Sequence, residues 1–263
     1  LSGFGNGIIT ELNLGQRVAI IPELLIVGQF VSIASIKFNE LHAQRNEDRA
    51  NDLYLKLSKM GLTFTTIIAG LIFLLSNNLT EFFYSKSSMD SSSINNISLV
   101  LGYLILLLPI KFIDTFSTNI FTAYQKIRGV VQISFITHLL ITIVFFFLVK
   151  YFGLPGYIGG MGLHYVLLAV LYLYLFQKAI PFIKYKKVLT FFGEIVFLNL
   201  LAFVPAYSLN IYFFDVIRNN LLKIICLGAT YLFLLIIANE VIGISDLLKV
   251  SKYRNYFRQR FFN

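Results

Sequence analysis

The chain has 263 residues, of which 57% are hydrophobic and only 13% charged, with a formal net charge of +9. A mean hydropathy of +0.75 excludes an ordinary soluble domain, and unbroken apolar runs of about 20 residues exclude the alternating pattern of a transmembrane β-barrel. The basic residues fall in the gaps between those runs, so anionic lipid headgroups, not nucleic acid, are the expected counterpart of the charge.

These features predict an all-α, polytopic transmembrane helix bundle, because a helix satisfies its own backbone in hydrocarbon. About seven spans are legible: 17–36, 58–76, 97–124, 130–150, 154–177, 190–213 and 221–243. Residues 1–16 read as an outer loop or the end of a truncated preceding span, and a start at Leu1 suggests a longer parent chain. The five spans of 17–177 form one unit, 178–189 a cytoplasmic linker, and 190–243 two further spans. In the tail, 244–263, Tyr253, Tyr256, Phe257 and Phe261 alternate with Lys252, Arg254, Arg258 and Arg260, as in a helix lying in the headgroup layer. Lysine and arginine gather in 37–59, 126–128, 178–187 and 249–260. The positive-inside bias therefore places the carboxyl terminus in the cytoplasm.

The first span carries Arg17 at its outer end, then Pro22, Glu23 and Gln29. Pro22 lacks a backbone donor and predicts a kink. The connector 37–56 is charged and mixed in sign, whereas 77–96 is rich in serine and asparagine and reads as an exposed outer loop. In the third span Lys111, Asp114, Thr115, Thr118 and Thr122 fall at i, i+3, i+4, i+7 and i+11, one polar stripe along a helix. Phe112, Ile113, Phe116 and Ile120 point toward lipid or apolar neighbours. A charge in hydrocarbon costs about 2.5 kcal/mol or more, so Lys111 and Asp114 must meet a partner, a packed interface or a water-filled cavity. Two readings follow: an i,i+3 ion pair between Lys111 and Asp114 buried between helices, or a stripe lining a polar path.

The fourth span places Ser134, Thr137, His138 and Thr142 on one face. The fifth opens with Gly156 and Gly160, a small-xxx-small pair that lets two helices approach closely, and continues to His164. Each histidine reads first as a hydrogen-bonded packing residue, with proton transfer at His138 the sharper alternative. The last span is almost purely apolar and is expected to face lipid. Cys226 is the one cysteine, so no internal disulfide forms. The sequence holds no phosphate-cradling glycine loop, no metal-spaced cluster and no hydrolase set. Neither an enzyme nor a cofactor or metal is therefore expected, and polar residues scattered singly at membrane depth suit translocation.

The segment Asn13-Leu14-Gly15-Gln16-Arg17-Val18-Ala19-Ile20-Ile21-Pro22 resembles the outer start of a span in the MviN/MurJ group of the multidrug/oligosaccharidyl-lipid/polysaccharide exporter superfamily, with Arg17 and Pro22 matching. Phe121, Ala123, Gln125, Val131 and Ile133 match a second stretch of that family, with Thr122 and Val130 in place of its tyrosine and proline. The resemblance covers nearly the whole chain, as the carboxyl-terminal half of the fold. It implies one lobe of an exporter-type fold plus two extra helices, facing an amino-terminal lobe absent from this sequence, in a bacterial inner membrane. It further implies a flippase that moves an undecaprenyl-pyrophosphate-linked sugar, either a peptidoglycan precursor or a polysaccharide repeat. The substrate partner would be a lipid-linked oligosaccharide, with membrane lipids around it. Arg17 would bind phosphate on the strength of the motif. The polar stripe adds Lys111 as a deeper cation and Asp114 as the group holding Lys111 between cycles, with Gln29, Thr115 and Thr118 contacting sugar or water. A cation-coupled multidrug exporter and a polyprenyl-sugar membrane enzyme are the alternatives.

Overall fold

In a computed structural model the structure describes residues 7–85, 89–214, 217 and 219–249. The basic-aromatic tail from residue 250 onward, together with residues 1–6, lies outside them. Among the described residues the chain is helical with no strand. Its elements are α1 (Ile8–Pro22), α2 (Gly28–Ala43), α3 (Glu47–Tyr84), α4 (Ser91–Ile105), α5 (Leu108–Ala123), α6 (Ile127–Ala179), α7 (Tyr185–Tyr212) and α8 (Asn220–Ile242). Among the described residues five helical stretches are long and apolar enough to cross a membrane, or six when the bent pair α4–α5 counts as one. The chain is thus a helical membrane protein.

Local chemistry explains where the helices bend. Residues 8–16, expected as an outer loop or the end of a preceding span, belong to α1, which starts after Gly7 in a left-handed conformation (φ 103°) and runs on into the first expected span. Pro22 does disturb the helix: its missing N–H is followed by a π-turn over Glu23–Val27 that joins α1 to α2. The third span is not one straight helix. It bends by 43° between α4 and α5, and Pro109 falls in the first turn of α5, where a missing donor costs least. Asp90 caps α4 by accepting from the Ser93 N–H at 3.1 Å, and α3 runs on to Tyr84, so the expected loop 77–96 is helical over 77–84 and 91–96.

The 53 residues of α6 are two arms broken at Gly153, with φ 61° and ψ −130°. Only glycine tolerates such a backbone readily. The arms run antiparallel. Phe145 packs on Tyr157 with ring centroids 5.6 Å apart, and a Cβ on Gly156 would lie 2.0 Å from the Leu148 carbonyl oxygen. Gly156 and Gly160 thus perform the close packing their spacing predicts, between the arms of this hairpin. The expected spans 130–150 and 154–177 are these two arms.

Helix α3 forms the axis of the bundle, with α2, α4, α5, α7 and α8 packed around it. A Cβ on Gly61 would lie 2.0 Å from Phe112 Cζ, so α3 and α5 touch backbone to ring. The core continues through stacked and tilted rings, Phe112 on Phe116 at 5.3 Å, Phe116 on Tyr54 at 5.5 Å and Phe121 on Phe176 at 4.5 Å. Most of α8 is exposed or half-buried, in keeping with a lipid-facing helix, and the packing it adds is narrow. One face of that helix is buried on α3 and α7 through Leu227, Tyr231 and Leu235. There the Tyr231 hydroxyl donates to Asn199 Oδ1. Two apolar sequences packed through one polar contact look lipid-facing in composition alone.

Candidate functional site

The polar stripe of α5 faces the second arm of α6 and the π-turn after α1. Lys111 Nζ lies 2.7 Å from Glu23 Oε2, and the two side chains are 20% and 28% exposed. The ammonium also lies 5.7 Å from the centre of the Tyr165 ring, a cation–π contact. The expected ion pair between Lys111 and Asp114 does not form. Asp114 instead accepts from the Tyr172 hydroxyl at 2.7 Å, and Tyr172 meets the Thr118 hydroxyl at 2.9 Å. Since Tyr172 gives its one proton to the carboxylate, Thr118 donates to the Tyr172 oxygen. The spacing i,i+3 puts Lys111 and Asp114 on one face, but each finds a better partner across a helix interface.

Residues on α6 complete the site. The His138 and His164 rings lie 4.4 Å apart in an edge contact, one from each arm of the hairpin. His138 Nδ1 donates to the Ser134 carbonyl at 2.7 Å. His164 Nδ1 is buried with no hydrogen-bond partner among the described residues. Both rings are close enough to interact electrostatically with Asp114. Gln16 Nε2 donates to the Tyr157 hydroxyl at 3.2 Å, linking α1 to the same arm.

Of the six residues expected at the site, Lys111, Asp114 and Thr118 are brought together with Glu23 and Tyr172. Thr115 is exposed on the same helix. Arg17 and Gln29 are exposed on α1 and α2. Arg17 makes no ion pair among the described residues, and no hydrogen bond joins it or Gln29 to the Lys111 group. Sequence reasoning passed over Tyr165 and Tyr172 and treated the histidines singly. The hairpin signal, Gly153 with the Gly156/Gly160 pair, sets 138 opposite 164 and could have found the histidine contact.

The arrangement is a half-buried ammonium held by one removable carboxylate, beside a second carboxylate and two imidazoles. An anion of higher charge density than a carboxylate could take the ammonium and release Glu23 into water. No family model, no curated protein and no solved structure matches this chain.

Proposed function

We propose that the chain is one lobe of a flippase that carries an undecaprenyl-pyrophosphate-linked sugar across a bacterial inner membrane by alternating access. The observation that carries this reading is the Lys111–Glu23 pair. Its side chains are charged, lie within an apolar bundle and remain 20% and 28% exposed where α5 meets the π-turn and the second arm of α6. Such a pair is stable when it borders a wet chamber shared with a second lobe. A pyrophosphate cannot cross hydrocarbon without counter-charge. Lys111 supplies it inside, and the exposed Arg17 guanidinium supplies a two-point fork nearer the entrance. Glu23, rather than Asp114, holds Lys111 between cycles.

The apolar part of the substrate has a match as well. Thr66, Ala69, Gly70, Phe73, Phe192 and Phe203 line a cleft of about 350 Å³ between α3 and α7, an apolar volume that suits part of a prenyl chain. The basic connectors support a cytoplasmic carboxyl terminus.

The test is Lys111→Met in the full-length protein, reconstituted in liposomes with an undecaprenyl-pyrophosphate-linked sugar. Loss of one charge-assisted phosphate contact lowers flipping about tenfold or more. Wild-type flipping by this variant overturns the reading. A cation-coupled drug exporter is the second reading, favoured by two carboxylates, Glu23 and Asp114, at one site. Efflux of a cationic dye without lipid flipping would support it instead.

A further inference from the structure

At the end of the bundle where α3 stops and α4 and α8 start lies a second cavity, of about 570 Å³. Tyr103, the lining residue nearest to Lys111 along α4–α5, is eight residues from it, about 12 Å at about 1.5 Å per residue. The cavity's chemistry is unlike that of the charged site. The wall carries amides and hydroxyls, among them Ser76, Asn77, Asn210 and Asn220, with Glu81 and Lys223 beside them. Asn220 Nδ2 donates to Glu81 Oε2 at 3.0 Å. The Ser98 hydroxyl donates to Asn77 Oδ1. Asn210 Oδ1 is buried with no hydrogen-bond partner among the described residues.

Four aromatic rings border the same cavity in an unbroken series. Tyr103 of α4 lies 6.2 Å from Phe73 of α3, Phe73 lies 5.4 Å from Phe203 of α7, and Phe203 stacks on Tyr207 at 5.7 Å. Tyr103 and Tyr207, the ends of the series, are 48% and 49% exposed.

We infer that this cavity is a binding site for a neutral polyhydroxylated group, a sugar ring. Each hydroxyl of a sugar is at once donor and acceptor, and a primary amide offers the complementary pair. The sugar's C–H face carries slight positive charge and lies against the negative face of an aromatic ring. A buried amide oxygen without a partner is costly, and a ligand hydroxyl satisfies it. A phosphate gains no net counter-charge here, because the Glu81 carboxylate offsets the Lys223 ammonium in the same wall. The sugar has two sources, a free saccharide or the headgroup of a glycolipid. Phe73 and Phe203 also line the apolar cleft between α3 and α7, so an acyl or prenyl chain can run from one compartment into the other. The site stands on its own geometry and requires no flipping.

The experiment is native mass spectrometry of the full-length protein with four probes: monoglucosyl diacylglycerol, diacylglycerol of the same chains, phosphatidylglycerol, and maltose. Retention of the glucosyl lipid over both other lipids is expected. Tyr207→Ala and Asn210→Leu each lower that retention about tenfold, the effect of losing one well-placed contact. Tyr103→Ala, at an exposed ring, serves as a third variant, and unchanged thermal melting separates loss of the site from loss of the fold. Lys111→Met leaves retention unchanged, which distinguishes this site from the flippase reading. Maltose retention assigns the sugar alone, and retention of only the glucosyl lipid assigns the joined site. Equal retention of all three lipids, or wild-type retention by folded variants, overturns the inference.

Discussion

The two faces of α5 meet opposite surroundings. On one, Phe112, Phe116 and Ile120 are fully buried against α2 and α3. On the other, Lys111, Asp114 and Thr118 are only half-buried and find partners on the π-turn and on α6. The apolar face is fixed by shape, since Phe112 fills the space that a side chain on Gly61 would need. The polar face is fixed by charge and hydrogen bonds, and its geometry leaves room to rearrange. One helix therefore serves as a rigid wall on one side and an adjustable surface on the other.

Three substitutions sharpen that contrast. The largest effect is expected for Gly61→Val, whose branched side chain collides with the Phe112 ring. Thermal melting in detergent is expected to show a loss of about 3 kcal/mol, the upper end for overpacking. Next is Tyr172→Phe, which takes the donor from Asp114 and leaves Thr118 without its acceptor. A loss of about 2 kcal/mol is expected, as for hydrogen bonds to charged groups, and chemical denaturation measures it. The smallest is Glu23→Gln. The Lys111 pair is partly exposed, so water reached from the open face compensates, and a cost of about 1 kcal/mol or less is expected. The Glu23→Gln/Lys111→Met double variant is expected to lose less than the two single losses added together, as a double-mutant cycle on an interacting pair requires. If Glu23→Gln were as damaging as Gly61→Val, the two faces would not differ in kind.

The sequence carried the helix class and the stripe itself, because a period of 3.6 places Lys111, Asp114 and Thr118 on one side whatever surrounds them. It also carried Gly156 and Gly160 as a packing pair. The partners were not legible. Pairing Lys111 with Glu23 requires the π-turn after Pro22 to bring Glu23 against α5, and one helix's periodicity contains nothing of that. Pairing His138 with His164 requires the fold at Gly153. Helix ends were underestimated because hydropathy reports only the part in hydrocarbon. α3 begins at Glu47 and runs through Arg49, Lys56 and Lys59 before entering that part. The polar cavity at the far end of α3 escaped notice for a related reason: its amides come from α3, α7 and the start of α8, each unremarkable alone.

The central claim is that the Lys111 face borders water within the membrane. Thiol accessibility tests it most directly, with Thr115→Cys in a Cys226→Ser form of the full-length protein and Phe233→Cys on the exposed side of α8 as the lipid-facing control. The account predicts that a charged, membrane-impermeant thiol reagent modifies Thr115→Cys and spares Phe233→Cys. A Thr115→Cys thiol as inert as the control would contradict it.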